Sequence, residues 1–144
     1  MDRIGFVVAE QELGSGYMEE TVEPVINGES LVDMLGQPER KWPPYAGFPP
    51  HSLFAALRAA LRRPDPVANV QVLRCICGDP QCSWATVRVE SGPDEVVWRD
   101  VEGSGADVAS RESAYAALGP YRFSRQAYES ALAEPTHAVS HPSR

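Results

Sequence analysis

The sequence predicts a single α+β domain: an antiparallel sheet containing a three-stranded meander, with two to three helices packed on one face. Three observations predict it. Val70 to Cys77, Ser83 to Glu90 and Glu95 to Val101 each alternate side chains at a period of two, and Gly78-Asp79-Pro80 and Ser91-Gly92-Pro93-Asp94 break the run between them. Leu53, Phe54, Leu57 and Leu61 recur at helical spacing behind Ser52, and Tyr128 and Leu132 lie four apart behind Ser124. The chain has 144 residues, 43% hydrophobic and 23% charged, which is the size and composition of one soluble globular domain.

Ile4, Phe6 and Val8 alternate with Gly5, Val7 and Ala9 as a first strand, and the Gly-containing stretch Gln11 to Gly16 turns it. Tyr17 to Ile26 can return beside it, and Asn27-Gly28 marks the next turn. Ser30 is placed to cap a short helix carrying Leu31, Met34 and Leu35. Five prolines between Gln37 and His51 exclude a regular helix or central strand there, and the interleaved Trp42, Tyr45 and Phe48 read as an aromatic lid over the sheet. Helices are expected near residues 52–63 and 124–134. The small, polar stretch 102–113 reads as a surface loop. The domain is expected to span residues 1–134, with 135–144, including His137 and His141, a polar tail too weakly apolar to pack.

Thirteen basic against twenty acidic residues leave a formal charge of −7, so no global field recruits nucleic acid or an anionic membrane. No stretch approaches the roughly 20 apolar residues of a membrane helix, and the N-terminal segment, with Asp2, Glu10 and Glu12, lacks a basic region followed by an apolar run. A cytoplasmic protein is expected, its partner an unknown protein or small ligand.

The chemistry concentrates in three cysteines within eight residues, Cys75, Cys77 and Cys82. If the hairpin pairs symmetrically and without a bulge, Cys77 opposes Cys82, Cys75 opposes Trp84 and Leu73 opposes Thr86. Leu73, Cys75, Cys77, Cys82, Trp84, Thr86 and Arg88 then share one face, joined by Val97 and Arg99, while Val70, Val72, Ile76, Val87, Val89, Val96 and Trp98 form the apolar face under the helices. Three states of the thiols are open. Zinc is one, held by Cys75, Cys77 and Cys82 with His51, at the head of the middle helix, or Asp79 as fourth ligand. Packed or reactive thiols are the second, and a cross-strand disulfide between Cys77 and Cys82 the third, opposed by a reducing compartment.

Other patterns carry less. Leu13-Gly14-Ser15-Gly16 lacks the third glycine and the Gly-Lys-Ser/Thr of a phosphate loop. Glu19, Glu20 and Glu23 read as a solvated strand edge rather than paired acid and base, and Arg58, Arg62 and Arg63 as a solvated helical face rather than an anion site. No nucleophile–base pair, phosphate loop or complete metal site can be assembled from nearby residues, so a non-catalytic binding or accessory protein is expected. The alternative is a zinc- or thiol-dependent, hydrolase-like enzyme centred on the cysteines, with Arg88 or Arg99 holding an anionic substrate. Trp84, Arg88 and Arg99 are the candidate binding residues on that face.

Tyr45-Ala46-Gly47-Phe48-Pro49-Pro50, Cys75-Ile76-Cys77-Gly78-Asp79-Pro80-Gln81-Cys82, Val97-Trp98-Arg99 and Leu118-Gly119-Pro120-Tyr121-Arg122-Phe123 together resemble an uncharacterised family of small actinobacterial proteins with a Cys-x-Cys-Gly-x3-Cys hairpin. The resemblance covers roughly residues 25–134. It implies a bacterial cytosolic protein and no particular reaction.

Overall fold

The computed structural model describes residues 1–14, 16–35, 45–62, 67–77, 83–105 and 118–140. The first strand, β1 (Ile4–Glu12), pairs antiparallel with β2 (Met18–Ile26) from Ile4↔Ile26 to Glu12↔Met18. Asn27 and Gly28 take the positive φ values, 53° and 87°, that a two-residue hairpin turn requires, which returns the chain as β3 (Glu29–Ser30). Ser30 then caps α1 (Leu31–Met34), its hydroxyl accepting from the Val32 amide at 3.2 Å.

A two-residue strand, β4 (Tyr45–Ala46), opens the second sheet, and α2 (Pro50–Arg62) follows. Proline at the first helical position is favourable because its missing N–H would have had no partner there; the helix thus begins two residues before the expected Ser52. The meander is present as β5 (Val67–Cys75), β6 (Ser83–Ser91) and β7 (Glu95–Gly105), but as the middle of a five-stranded sheet in the order β4-β5-β6-β7-β8, where β8 is Tyr121–Ser124. The small residues of 102–105, expected in a loop, continue β7 instead. Ser124 caps α3 (Arg125–Ala133) as the sequence predicts, accepting from the Ala127 amide at 3.0 Å. The tail is not wholly loose: β9 (Thr136–Ser140) lies parallel to β1 and completes a four-stranded sheet, β3-β2-β1-β9. Its polar composition hid it, because backbone pairing at a sheet edge needs no apolar side chain.

The core lies where the inner faces of the two sheets meet α2 and α3. Phe6, Val8, Val22 and Ile26 come from the first sheet, and Val70, Val87, Val89, Val96 and Trp98 from the second. Leu53, Phe54, Leu57, Tyr128 and Leu132 come from the helices. The valine face expected from the alternation is therefore the buried one at Val70, Val72, Val87, Val89, Val96 and Trp98, whereas Ile76, expected with them, follows the end of β5 and is only half-buried, and Val97, expected on the other side, is buried too. The two helices also close each other's ends. Arg58 of α2 donates to the Leu132 carbonyl at the end of α3 (3.0 Å), and Arg125 of α3 donates to the Leu61 carbonyl at the end of α2 (3.4 Å). Terminal carbonyls without intrahelical partners gain a cation at the negative end of the dipole. Arg58 is exposed, as a solvated helical face predicts, and it braces α3 as well.

Candidate functional site

The cysteine face is rearranged by one extra residue. Pairing of β5 with β6 runs Val70↔Val87 and Gln71↔Thr86, then slips to Leu73↔Ala85 and Arg74↔Trp84, leaving Val72 as a bulge. Beyond the bulge every side chain changes face relative to the symmetric register. Leu73 and Cys75, expected beside Trp84 and Thr86, lie on the core face with Ala85, and both are fully buried. Arg74, not Cys75, opposes Trp84. Cys77 follows the end of β5 and is exposed. Cys82, Asp79 and the expected Cys77–Cys82 pairing lie outside the described residues.

His51 is exposed in the first turn of α2. Among the described residues no three His, Cys, Asp or Glu side chains are grouped closely enough to hold a metal ion. The two described thiols differ in access, which a reagent reads directly. In reduced protein under native conditions, iodoacetamide is expected to modify Cys77 and spare Cys75, which reacts only after denaturation; peptide mass mapping checks this. Rapid native labelling of Cys75 would show that β5 does not hold it on the core face.

Trp84, Arg88 and Arg99 do lie on the outer face, as the sequence predicts. Arg88 and Arg99 oppose each other directly across β6 and β7. Such a pair repels unless compensated. Glu90 approaches Arg99 at 2.5 Å and Arg88 at 4.0 Å, and Asp100 approaches them at 3.8 and 3.9 Å. Two carboxylates thus balance two guanidinium groups, and this quartet presents no net positive charge to an anion. Asp100 reaches its position because the β7 strand bulges there with φ 52°. Two other sequence readings change. Glu23 is buried, accepting from the Ser30 hydroxyl at 2.5 Å, rather than solvated. Glu19 pairs at 2.9 Å with Arg74, which is only 8% exposed, also donates to the Gly47 carbonyl and lies over the Phe48 ring.

A concave feature of the described residues lies elsewhere. Between α2 and β5 runs an open groove of about 360 Å³, lined on the helix side by Ser52, Leu53, Ala56, Ala59 and Ala60, on the strand side by Ala68 to Gln71, and at one end by Phe48. It exists because α2 turns small side chains toward β5: alanines at 56, 59 and 60 do not fill the space that leucines there would occupy. The floor is apolar, and the hydroxyl of Ser52 and the amides of Asn69 and Gln71 add polar groups. The sequence offered a signal that period-two and leucine-stripe reading passes over, a run of alanines on the helix beside a strand stretch with no charged residue, Val67 to Leu73. Of the expected aromatic lid, Tyr45 is buried in β4 and Phe48 forms the groove end, while Trp42 lies outside the described residues.

No helix among the described residues is long and apolar enough to cross a membrane. Compared with protein-family models, curated proteins and solved structures, the chain matches none.

Proposed function

We propose that this is a non-catalytic binding protein whose ligand occupies the groove between α2 and β5. The observation that carries the reading is the groove itself, an apolar concavity with uncharged polar groups among its lining residues. Among the described residues its lining supplies shape and hydrogen bonds but no acid or base that would activate the Ser52 hydroxyl, which suits retention of a ligand rather than its conversion. The charge-balanced Arg88/Arg99 quartet lies on the outer face and is assigned no ligand.

Filling the groove tests this. Ala59 is exposed, so Ala59→Trp places an indole in the space without disturbing the core. A fluorine-NMR screen of small amphipathic fragments is expected to give hits that shift Ala56, Ala59 and Val70 resonances and that lose affinity at least tenfold in Ala59→Trp. Hits that map to the Arg88/Arg99 face, or that bind Ala59→Trp unchanged, would overturn the assignment.

A further inference from the structure

The groove lies against the edge of β5. Ala68 and Val70 point to the core face and Asn69 and Gln71 to the outer face, yet all four line it. Residues of both faces border one groove only where it runs along the backbone between them.

The strand position beside that edge is taken by the chain itself for two residues and then given up. Tyr45 pairs with Cys75 and Ala46 with Arg74. The next residue, Gly47, abuts the backbone of Val22 so closely that a Cβ there would collide with the Val22 carbonyl. Phe48 then bridges Val22, its carbonyl accepting from the Val22 amide at 2.9 Å, so the chain leaves β5 for the edge of β2. Pro49 and Pro50 launch α2, which passes β5 with alanines toward it. Ala68 to Leu73 are left with no strand on their outer edge among the described residues. Exposed edges are usually blunted by lysine, proline or inward charge. Ala68, Asn69, Val70 and Gln71 carry none of these.

Resting on the groove being the ligand site, we infer that its ligand is an extended polypeptide segment that adds beside β5 and continues the place of β4. About four residues span Ala68 to Gln71 at a strand rise of about 3.3 Å. Backbone amides and carbonyls of the segment meet those of the edge, as in other cases of strand addition. Alternate side chains meet Ala56, Ala59 and Phe48, which takes small or medium apolar groups. The seated residues are uncharged, because no described lining side chain offers a counter-ion and a buried unpaired charge is costly.

The test starts from a phage library of random twelve-residue peptides panned on the full chain, with the selected sequences then synthesised. Three results are expected together. Selected peptides slow hydrogen exchange at those amides of residues 68–73 that point away from β6. Methylating the peptide backbone nitrogens at alternate seated residues weakens binding at least tenfold, which a merely apolar contact would not show. Ala59→Arg weakens binding similarly, while Ala55→Arg, on an exposed helix position outside the groove, leaves it unchanged. Failure to select peptides, or peptides indifferent to backbone methylation, overturns the strand-addition inference while fragments sensitive to Ala59→Trp still uphold the groove as a ligand site. Protection, in the protein alone, of those amides of residues 68–73 that point away from β6, or a dimer in sedimentation that Ala59→Arg dissolves, would assign the edge to this chain or a second copy and overturn it equally.

Discussion

Trp98→Ala is expected to cost about 3–5 kcal/mol of folding stability, the range for truncating a large buried aromatic, and with it roughly 10 °C of melting temperature for a domain of this size. Trp98 is 1% exposed and packs edge-to-face on Phe123 and Tyr128, at 5.8 and 6.2 Å between ring centroids, and tilted on Phe6 at 6.4 Å. It therefore joins the first sheet, the second sheet and α3. Its indole N–H donates to the Tyr128 hydroxyl at 3.0 Å. Tyr128→Phe removes one atom yet leaves that N–H buried without an acceptor, so a loss of about 1–3 kcal/mol is expected. Burial also holds the Tyr128 hydroxyl well above the ordinary phenol range, a rise that the bond from Trp98 partly offsets. A folded-state pKa above the unfolded one favours the neutral fold, with this contribution intact below about pH 10 and lost as pH rises beyond it. Urea denaturation at pH 8 and pH 11 checks both points: the wild type should lose more stability across that interval than Tyr128→Phe. Equal losses, or a Trp98→Ala cost below about 1 kcal/mol, would place the centre of the core elsewhere.

What the sequence made legible follows from which signals are local. Ser30 and Ser124 were readable as caps because an N-cap needs one side chain and amides two or three residues on. The Asn27-Gly28 turn was readable because a short turn with positive φ at both residues admits few residue types. The core assignments of Val70, Val87, Val89, Val96 and Trp98 held because they stand on one side of the irregularities or are reset by them. The bulge at Val72 was marked only faintly. Val72, Leu73 and Cys75 are all apolar enough to be buried on either face, and a one-residue slip exchanges the faces of Leu73 and Cys75. Only Arg74, which the symmetric register sets between Val72 and Ile76 on the apolar face and the slip moves opposite Trp84, distinguishes the two registers. The candidate site went unseen for a related reason. It is defined by a strand that stops after two residues and by alanines that leave space, and pattern reading detects side chains that fill space.

The last expected result concerns the point where β4 leaves β5. Gly47→Ala should destabilise the fold by about 3 kcal/mol or more, the sum expected from overpacking and from the loss of a well-formed buried backbone bond. The added methyl would overlap the carbonyl carbon and oxygen of Val22, both backbone atoms of β2. No rotamer change relieves that contact, so the Val22–Phe48 bridge must open. The Gly47 carbonyl also accepts from Arg74 Nε at 2.9 Å, and Arg74 lies over the Phe48 ring, so displacing Gly47 disturbs the buried guanidinium and the end wall of the groove together. Gly5→Ala is the control, since nothing lies within 4 Å of a Cβ there; it should change stability by less than about 0.5 kcal/mol. Denaturation midpoints compare the two, and hydrogen exchange locates the effect: the Val22 amide should exchange faster in Gly47→Ala and not in Gly5→Ala. A Gly47→Ala protein of wild-type stability with a protected Val22 amide would mean that the chain does not cross from β5 to β2 at this point, and the vacated edge of β5 would lose its structural cause.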